Sequence, residues 1–360
     1  MIQNAQTLRA VAASMVVVHH VGSLYLAREL GIGWSTIGAA GVDLFFVLSG
    51  FIMVYSTINS DRRPLPFLRR RIIRIVPLYA LVTLLVWVLF QIGFEANGLR
   101  EGADGTIGQL VKSLFFVPFE RASGDIYPLV TVGWTLNYEM MFYVLFALSL
   151  ALRHWVNPFH ALLIALCVLV GVGLSLGGSA PLIVRFFLDP ILLEFAAGMV
   201  IGLGYNRIAT MQTDRAKRLG GALMIIGVAG LALTVVFGLQ PTENHILRIA
   251  VWGMPSALII TGALMLERAG VLWNNPALML QGDASYATYL VHMLVMQTCV
   301  KIIAFVLAPT SIILIVLIAV GLFVACLVAG TLLHVMVERP LTKLLRRDFV
   351  SRSRPMPYAR

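Results

Sequence analysis

Polar positions along this chain are few and clustered. The apolar stretches between them run for about twenty residues, the length at which a helix rising about 1.5 Å per residue crosses a hydrocarbon core of roughly 30 Å. Such runs fall at about 8–27, 37–58, 75–94, 131–152, 158–176, 186–205, 219–240, 246–266, 284–307 and 310–337. The pattern predicts an all-α, polytopic membrane protein with a bundle of about ten transmembrane helices over residues 1–345, followed by a basic tail over 346–360. No internal repeat, low-complexity tract or second soluble domain interrupts it.

The charged segments orient the bundle. Asp61-Arg62-Arg63 to Arg69-Arg70-Arg71 and Arg74 lies between the second and third runs, and Arg339, Lys343, Arg346, Arg347, Arg352, Arg354 and Arg360 follow the tenth. The positive-inside rule puts both in the cytoplasm, and an even helix number then puts the N-terminus there too. Arg207, Arg215, Lys217 and Arg218 fall on the same side. The loop at about 95–130 faces outward with mixed charge (Glu95, Arg100, Glu101, Asp104, Lys112, Glu120, Arg121, Asp125), and its Leu110–Phe119 stretch suits the interface.

Composition agrees with a chain dissolved mostly in lipid: 59% hydrophobic and 12% charged residues, where soluble domains carry about a quarter charged. Mean hydropathy is +0.89. The net charge of +10 sits in short segments between apolar runs, which marks topology and phospholipid headgroup contacts rather than nucleic acid. Cys167, Cys299 and Cys326 each lie inside an apolar run and read as packing residues. The first run contains Arg9, His19 and His20, which suits a retained helix rather than a cleaved leader.

An ionisable residue inside a bilayer helix is costly unless paired or wetted, so each is a functional candidate. Arg248, Asp189 and Lys301 lie near enough to helix ends to snorkel, and His334 sits at the cytoplasmic end of the last run. His20 is harder to dismiss. It follows Arg9 by eleven positions, which returns the same helix face within about 20° and separates the two by roughly 16 Å along the axis. Asp43 and Glu139 enter their runs from the outer side, and either carboxylate could accept the imidazole N–H and prepare His20 as a general base. Gly50 shares the Asp43 face and could admit a helix or a ligand closely. Ser285, Tyr289 and His292 follow i, i+4, i+7 and line one face of the ninth run, which suits a wet or ligand-lined seam, with helix-to-helix hydrogen bonding as the rival. Substrate-lining candidates are Ser49, Trp134, Tyr289 and His292, although Trp134 also suits an interfacial belt. Arg69, Arg70, Arg71 and Arg74 exceed what orientation demands and suit phosphate binding, with anionic lipid as the rival ligand. Adjacent His19 and His20 point to different faces and no His-x3-His or Cys pair adds ligands, so no metal site is expected.

In this order the pieces resemble the acyltransferase-3 family of membrane acyltransferases, from about residue 5 to residue 345. The resemblance rests on Leu8-Arg9-Ala10-Val11-Ala12 through His20 (Arg-x10-His), Gly41 to Phe51, Phe67 to Tyr79 with its arginines, Trp134 to Glu139, Glu194 to Gly198, Ser285 to His292, and Glu338-Arg339-Pro340. It implies a catalytic role for His20, an essential Arg9, and acyl-CoA phosphate contacts for Arg69, Arg70, Arg71 and Arg74. The chain looks most like the branch that O-acetylates bacterial exopolysaccharides and O-antigens, without an appended hydrolase-like domain. That branch implies a multi-pass protein of the bacterial inner membrane, acetyl-CoA as donor, and a glycan or lipid-linked glycan as acceptor.

On this reading the arginines hold the CoA phosphates, the pantetheine arm rises past Arg9, and His20, oriented by Glu139 or Asp43, deprotonates the attacking sugar hydroxyl. A covalent acyl-histidine is an open alternative. A rival from another class is a proton-coupled transporter or flippase of a lipid-linked sugar, with the buried ionisable groups as proton relays.

Overall fold

In the computed structural model, residues 2–34, 37–58, 62–93, 103–241, 244–306 and 311–352 are described. Asp61, Glu95, Arg100, Glu101, Arg354 and Arg360 lie outside these. The described chain is helical, with α1 Gln3–Leu30, α2 Ile37–Ile58 and α3 Pro64–Gln91, then α4 Ile107–Leu114 and α5 Trp134–Ala151. Next come α6 Pro158–Leu176, α7 Leu182–Ala209, α8 Thr213–Val236 and α9 His245–Arg268. A short α10 Pro276–Asp283 leads to α11 Ser285–Val306 and α12 Ile312–Arg346, whose helical backbone continues to Arg352.

Among the described residues, nine of these helices are long and apolar enough to span a membrane. Each predicted run has become a helix. The one outside the nine is α5, 18 residues long and polar in its first half through Asn137 and Glu139.

Lipid gives helices no hydrophobic reason to associate, so close backbone approach and interlocking rings carry the packing. The α2–α7 contact is of the first kind: a methyl group at Gly50 would strike the Phe195 carbonyl, and one at Gly198 the Val47 carbonyl. Gly50 therefore admits a neighbouring helix. Rings do the second job between α2, α3, α5 and α7. Phe67 stacks on Phe146 at 4.7 Å, Phe142 on Phe195 at 4.5 Å, and Phe46 tilts against Phe195 at 4.8 Å.

Helix α1 is held at its start. Its first N–H groups have no intrahelical acceptor, and its first turn carries no acidic residue. Glu267, at the end of α9, supplies both acceptors: Gln3 N donates to Oε1 at 3.0 Å and Asn4 N to Oε2 at 2.9 Å. Asn4 Nδ2 donates to the carbonyls of Ala263 and Val271, and Thr7 Oγ1 to that of Trp273. These contacts fix the axial register of α1, and with it the depth of Arg9 and His20.

Three helices contain a π-turn, which widens a helix by one residue and is frequent at functional sites. They span Gly22–Leu26 in α1, Ile249–Gly253 in α9 and His334–Glu338 in α12. His20 and Arg248 lie just before the first two, while His334 and Glu338 bound the third.

Replacing Gly198 with Val should force α2 and α7 apart and destabilise the protein by about 1–3 kcal/mol. Thermal unfolding of the detergent-solubilised variant would measure this, and a wild-type midpoint would contradict the close packing described.

Candidate active site

The seam between α1 and α11 carries the two ends of the site. Near the α1 start, Arg9 donates from Nε and Nη2 to Ser285 Oγ at 3.2 and 3.0 Å. Farther along, His20 Nδ1 meets His292 Nε2 at 3.1 Å, with ring centroids 5.0 Å apart. The face predicted from Ser285, Tyr289 and His292 therefore packs on the face predicted from Arg9 and His20. The helices run parallel, because Arg9 precedes His20 as Ser285 precedes His292.

Around Arg9 the bundle opens. A cavity of about 1150 Å³ is lined by Arg9, Arg74, Arg339, Lys343 and Arg346, with Asp283 and Glu338 as counter-charges and Phe51 and Tyr55 as aromatic wall. This matches or exceeds the roughly 300–1,000 Å³ usual for small-molecule sites. A chamber of about 70 Å³ shares Arg9, Arg74 and Ile52 with it, so the two adjoin at these side chains. Ser49, Arg71, Glu139, Tyr143, Ser285, Tyr286 and Tyr289 also line the chamber. Its wall toward the imidazoles is Tyr289, whose hydroxyl donates to Val132 O at 3.0 Å and pairs with Thr135 Oγ1 at 2.9 Å. The Tyr289 ring lies 5.9 Å from that of His292.

Neither carboxylate expected beside His20 is there. Glu139 accepts hydrogen bonds from Tyr143 Oη and, at 3.3 Å, from Ser49 Oγ, in the chamber wall that also holds Arg9. It lies at the level of Arg9 rather than of His20 because α5 does not start at the surface. Leu129, Val130 and Val132, which lead into it, are buried, so counting turns from Trp134 misjudges its level. Trp134 accordingly is no belt residue: half-buried, its ring lies 5.8 Å from the Arg248 guanidinium carbon and edge-on to Phe46.

Asp43 has another partner. Its Oδ1 and Oδ2 accept from Arg248 Nε and Nη2, both at 2.9 Å, and the pair is buried, Asp43 at 0% and Arg248 at 5% exposure. Arg248 thus does not snorkel. Its guanidinium is enclosed between Trp134 and Trp252, and the bidentate fork satisfies a carboxylate that lipid could not solvate. Glu194 is buried nearby against Gly253. Asp189 binds His245 Nδ1 at 2.5 Å and caps Ile191 N at 2.8 Å. Lys301 is exposed.

The basic group on α3 divides. Arg71 and Arg74 face the chamber, Arg71 also donating to Ser56 Oγ at 3.0 Å, whereas Arg69 and Arg70 are exposed and outside both cavity walls. The wide cavity takes its remaining cations from α12, where the spacing of Arg339, Lys343 and Arg346 puts all three on one face. In the sequence these counted only as topology signals; the block Glu338-Arg339-Pro340 was the clue to a site. Glu338 is held by His334 Nδ1 at 2.8 Å. Of the substrate-lining candidates, Ser49 and Tyr289 line the chamber, while Trp134 and His292 do not.

The site thus combines, in a helical bundle long and apolar enough to span a membrane, a cationic cavity at one end and a paired imidazole at the other. The chain belongs to the acyltransferase-3 family, whose model, an acyltransferase domain, matches residues 3–333. This makes it a membrane acyltransferase and sets aside the transporter alternative. Its relatives include the exopolysaccharide production protein ExoZ of Rhizobium meliloti (strain 1021), 35% identical, with 86% of this chain and 90% of that protein aligned. The acyltransferase MdmB of Streptomyces mycarofaciens is 26% identical, over 94% of this chain and 91% of its own length. The O-acetyltransferase OatA of Staphylococcus aureus is 24% identical over 79% of this chain, which spans 49% of OatA. No solved structure matches significantly.

Asp43→Asn should leave the Arg248 charge buried with half its fork unmatched and cost about 3–5 kcal/mol. The double replacement Asp43→Leu with Arg248→Met should recover much of that loss in thermal unfolding. A double variant no better than the single one would show that the pair does more than satisfy itself.

Proposed function

We propose that this acyltransferase moves an acetyl group from cytoplasmic acetyl-CoA to a hydroxyl of an exopolysaccharide, O-antigen or lipid-linked glycan at the outer face of the bacterial inner membrane. The observation that carries the reading is that the cationic cavity and a narrow chamber adjoin at Arg9, on the α1–α11 seam that also holds His20. Likeness to ExoZ supports the exopolysaccharide acceptor, and likeness to OatA supports the acetyl group. Cytoplasmic termini follow from the arginines before α3 and after α12.

Arg74, Arg339, Lys343 and Arg346 then hold the donor's phosphates through charge-assisted hydrogen bonds, and exposed Arg69 and Arg70 attract them at the surface. The thin pantetheine arm passes Arg9 into the chamber and carries the thioester toward His20. His20 removes the proton of a sugar hydroxyl as its oxygen attacks the thioester carbon. The new C–O bond forms, the C–S bond breaks, and the thiolate takes the proton back from the imidazolium. Glu139, bound by Ser49 and Tyr143, holds the chamber's shape and balances the charge of Arg9 and Arg71.

The test uses the purified protein in lipid nanodiscs with labelled acetyl-CoA and glycan. His20→Ala should lower turnover by about 10²–10⁴-fold and leave acetyl-CoA binding intact. Arg74→Ala with Arg339→Ala should weaken acetyl-CoA binding by at least about tenfold. Wild-type turnover in His20→Ala, or unchanged donor affinity in the arginine variant, would overturn the respective assignment.

A further inference from the structure

His292 is fully buried at 0% exposure, and both of its ring nitrogens are engaged. Nδ1 lies 2.7 Å from the carbonyl oxygen of Tyr289. A carbonyl can only accept, so this nitrogen carries the hydrogen, and Nε2 of the neutral ring holds a lone pair. That lone pair faces His20 Nδ1 at 3.1 Å. His20 Nδ1 also lies 3.0 Å from the carbonyl of Val16. Between two acceptors Nδ1 must be the protonated nitrogen of His20, which leaves Nε2 with the lone pair a base needs.

We propose that His292 is the positioning residue of the reaction, its Nε2 accepting from His20 Nδ1 and so holding His20 in the tautomer that presents Nε2 to the acceptor hydroxyl. This rests on the reading of His20 as the general base. In a Ser-His-Asp triad a carboxylate performs the same service; here a neutral imidazole does. Being buried, His292 touches no substrate, which moves it from the substrate wall to the support behind the base.

The ring of His292 and the helix that carries it are both held. Its Nδ1 grips the preceding turn of α11, its backbone carbonyl accepts from Cys326 Sγ of α12 at 3.5 Å, and one turn back Thr288 is packed against Gly330 too closely to leave room for a methyl group. His19, edge-on to His20 at 5.1 Å, makes no such contact with His292 and stands on another face of α1.

Two measurements decide. In nanodiscs with ¹⁵N-labelled histidine, NMR should show His20 of the wild-type protein as the Nδ1–H tautomer; an Nε2–H tautomer overturns the proposal without reference to activity. In turnover assays His292→Phe, which keeps the volume and deletes the acceptor, should lower kcat by at least about tenfold, the loss of one oriented hydrogen bond, at unchanged KM for acetyl-CoA. His292→Gln, whose amide oxygen reaches the Nε2 position, should recover most of that loss. Wild-type kcat in His292→Phe beside an inactive His20→Ala overturns the role of His292 alone, whereas an active His20→Ala overturns the base reading beneath it. If His292→Phe fails to fold, His292→Leu, which likewise deletes the acceptor, takes its place in the same comparison.

Discussion

The parallel contact of α1 with α11 is the interaction on which the rest of the site depends. Inside a bilayer a polar side chain has no water to fall back on, so its partner must arrive on another helix at the right depth. The α1–α11 seam does this twice, at Arg9–Ser285 and at His20–His292. It holds only if neither helix slides. Glu267 fixes α1 by taking the free N–H groups of its first turn, and the close contact of Gly330 with Thr288 locks α11 on α12. A slip of one turn would carry Arg9 out of the cavity and His20 away from His292 together.

Two groups of buried charge have opposite characters. Asp43 and Arg248 saturate each other in a bidentate fork between two tryptophans, and the pair is closed to ligands. Its contribution is conformational: it ties α2 to α9 beside the π-turn that follows Arg248. In the wide cavity the balance is left open. Among the described residues, Arg9, Arg74, Arg339, Lys343 and Arg346 share its wall with two carboxylates, Asp283 and Glu338, and Glu338 is already bonded by His334, while Glu139 stands on the chamber side. A surplus of cations around a cavity is a place where anionic oxygens are stabilised, and it costs little because Arg339, Lys343 and Arg346 are exposed.

Much of this was legible in the sequence. Apolar run length gave every long helix, because a bilayer constrains length more tightly than a soluble core does. Helical periodicity gave the Arg9–His20 face and the Ser285–Tyr289–His292 face, since azimuth around an axis is a local property. What periodicity cannot supply is depth when a helix starts inside the protein. The misplacement of Glu139 beside His20 comes from that, α5 being preceded by the buried segment through Leu129, Val130 and Val132. Nor can it supply partners across the fold: Asp43 and Arg248 are 205 positions apart, and the Glu267 cap belongs to a helix end far from α1 in sequence. The cations of α12 were visible but ambiguous, because topology signals and phosphate ligands are the same residues until a cavity distinguishes them.

The same electrostatics explain why a neutral ring suits the place behind His20. A carboxylate there would add one more buried anion to those within the span, and Asp43, near the start of α2, already requires a whole arginine and two indoles to hold it. An imidazole acceptor fixes a tautomer with no net charge to solvate, and both ring nitrogens can be satisfied by helix groups alone. The exchange is a smaller electrostatic pull on the imidazolium formed during catalysis. In the proposed reaction that is tolerable, because the proton is held briefly and the thiolate leaving the thioester takes it. On the proposed reading a thioester donor and an uncharged support for the base are therefore matched: the leaving group does at the end what a carboxylate would otherwise do throughout.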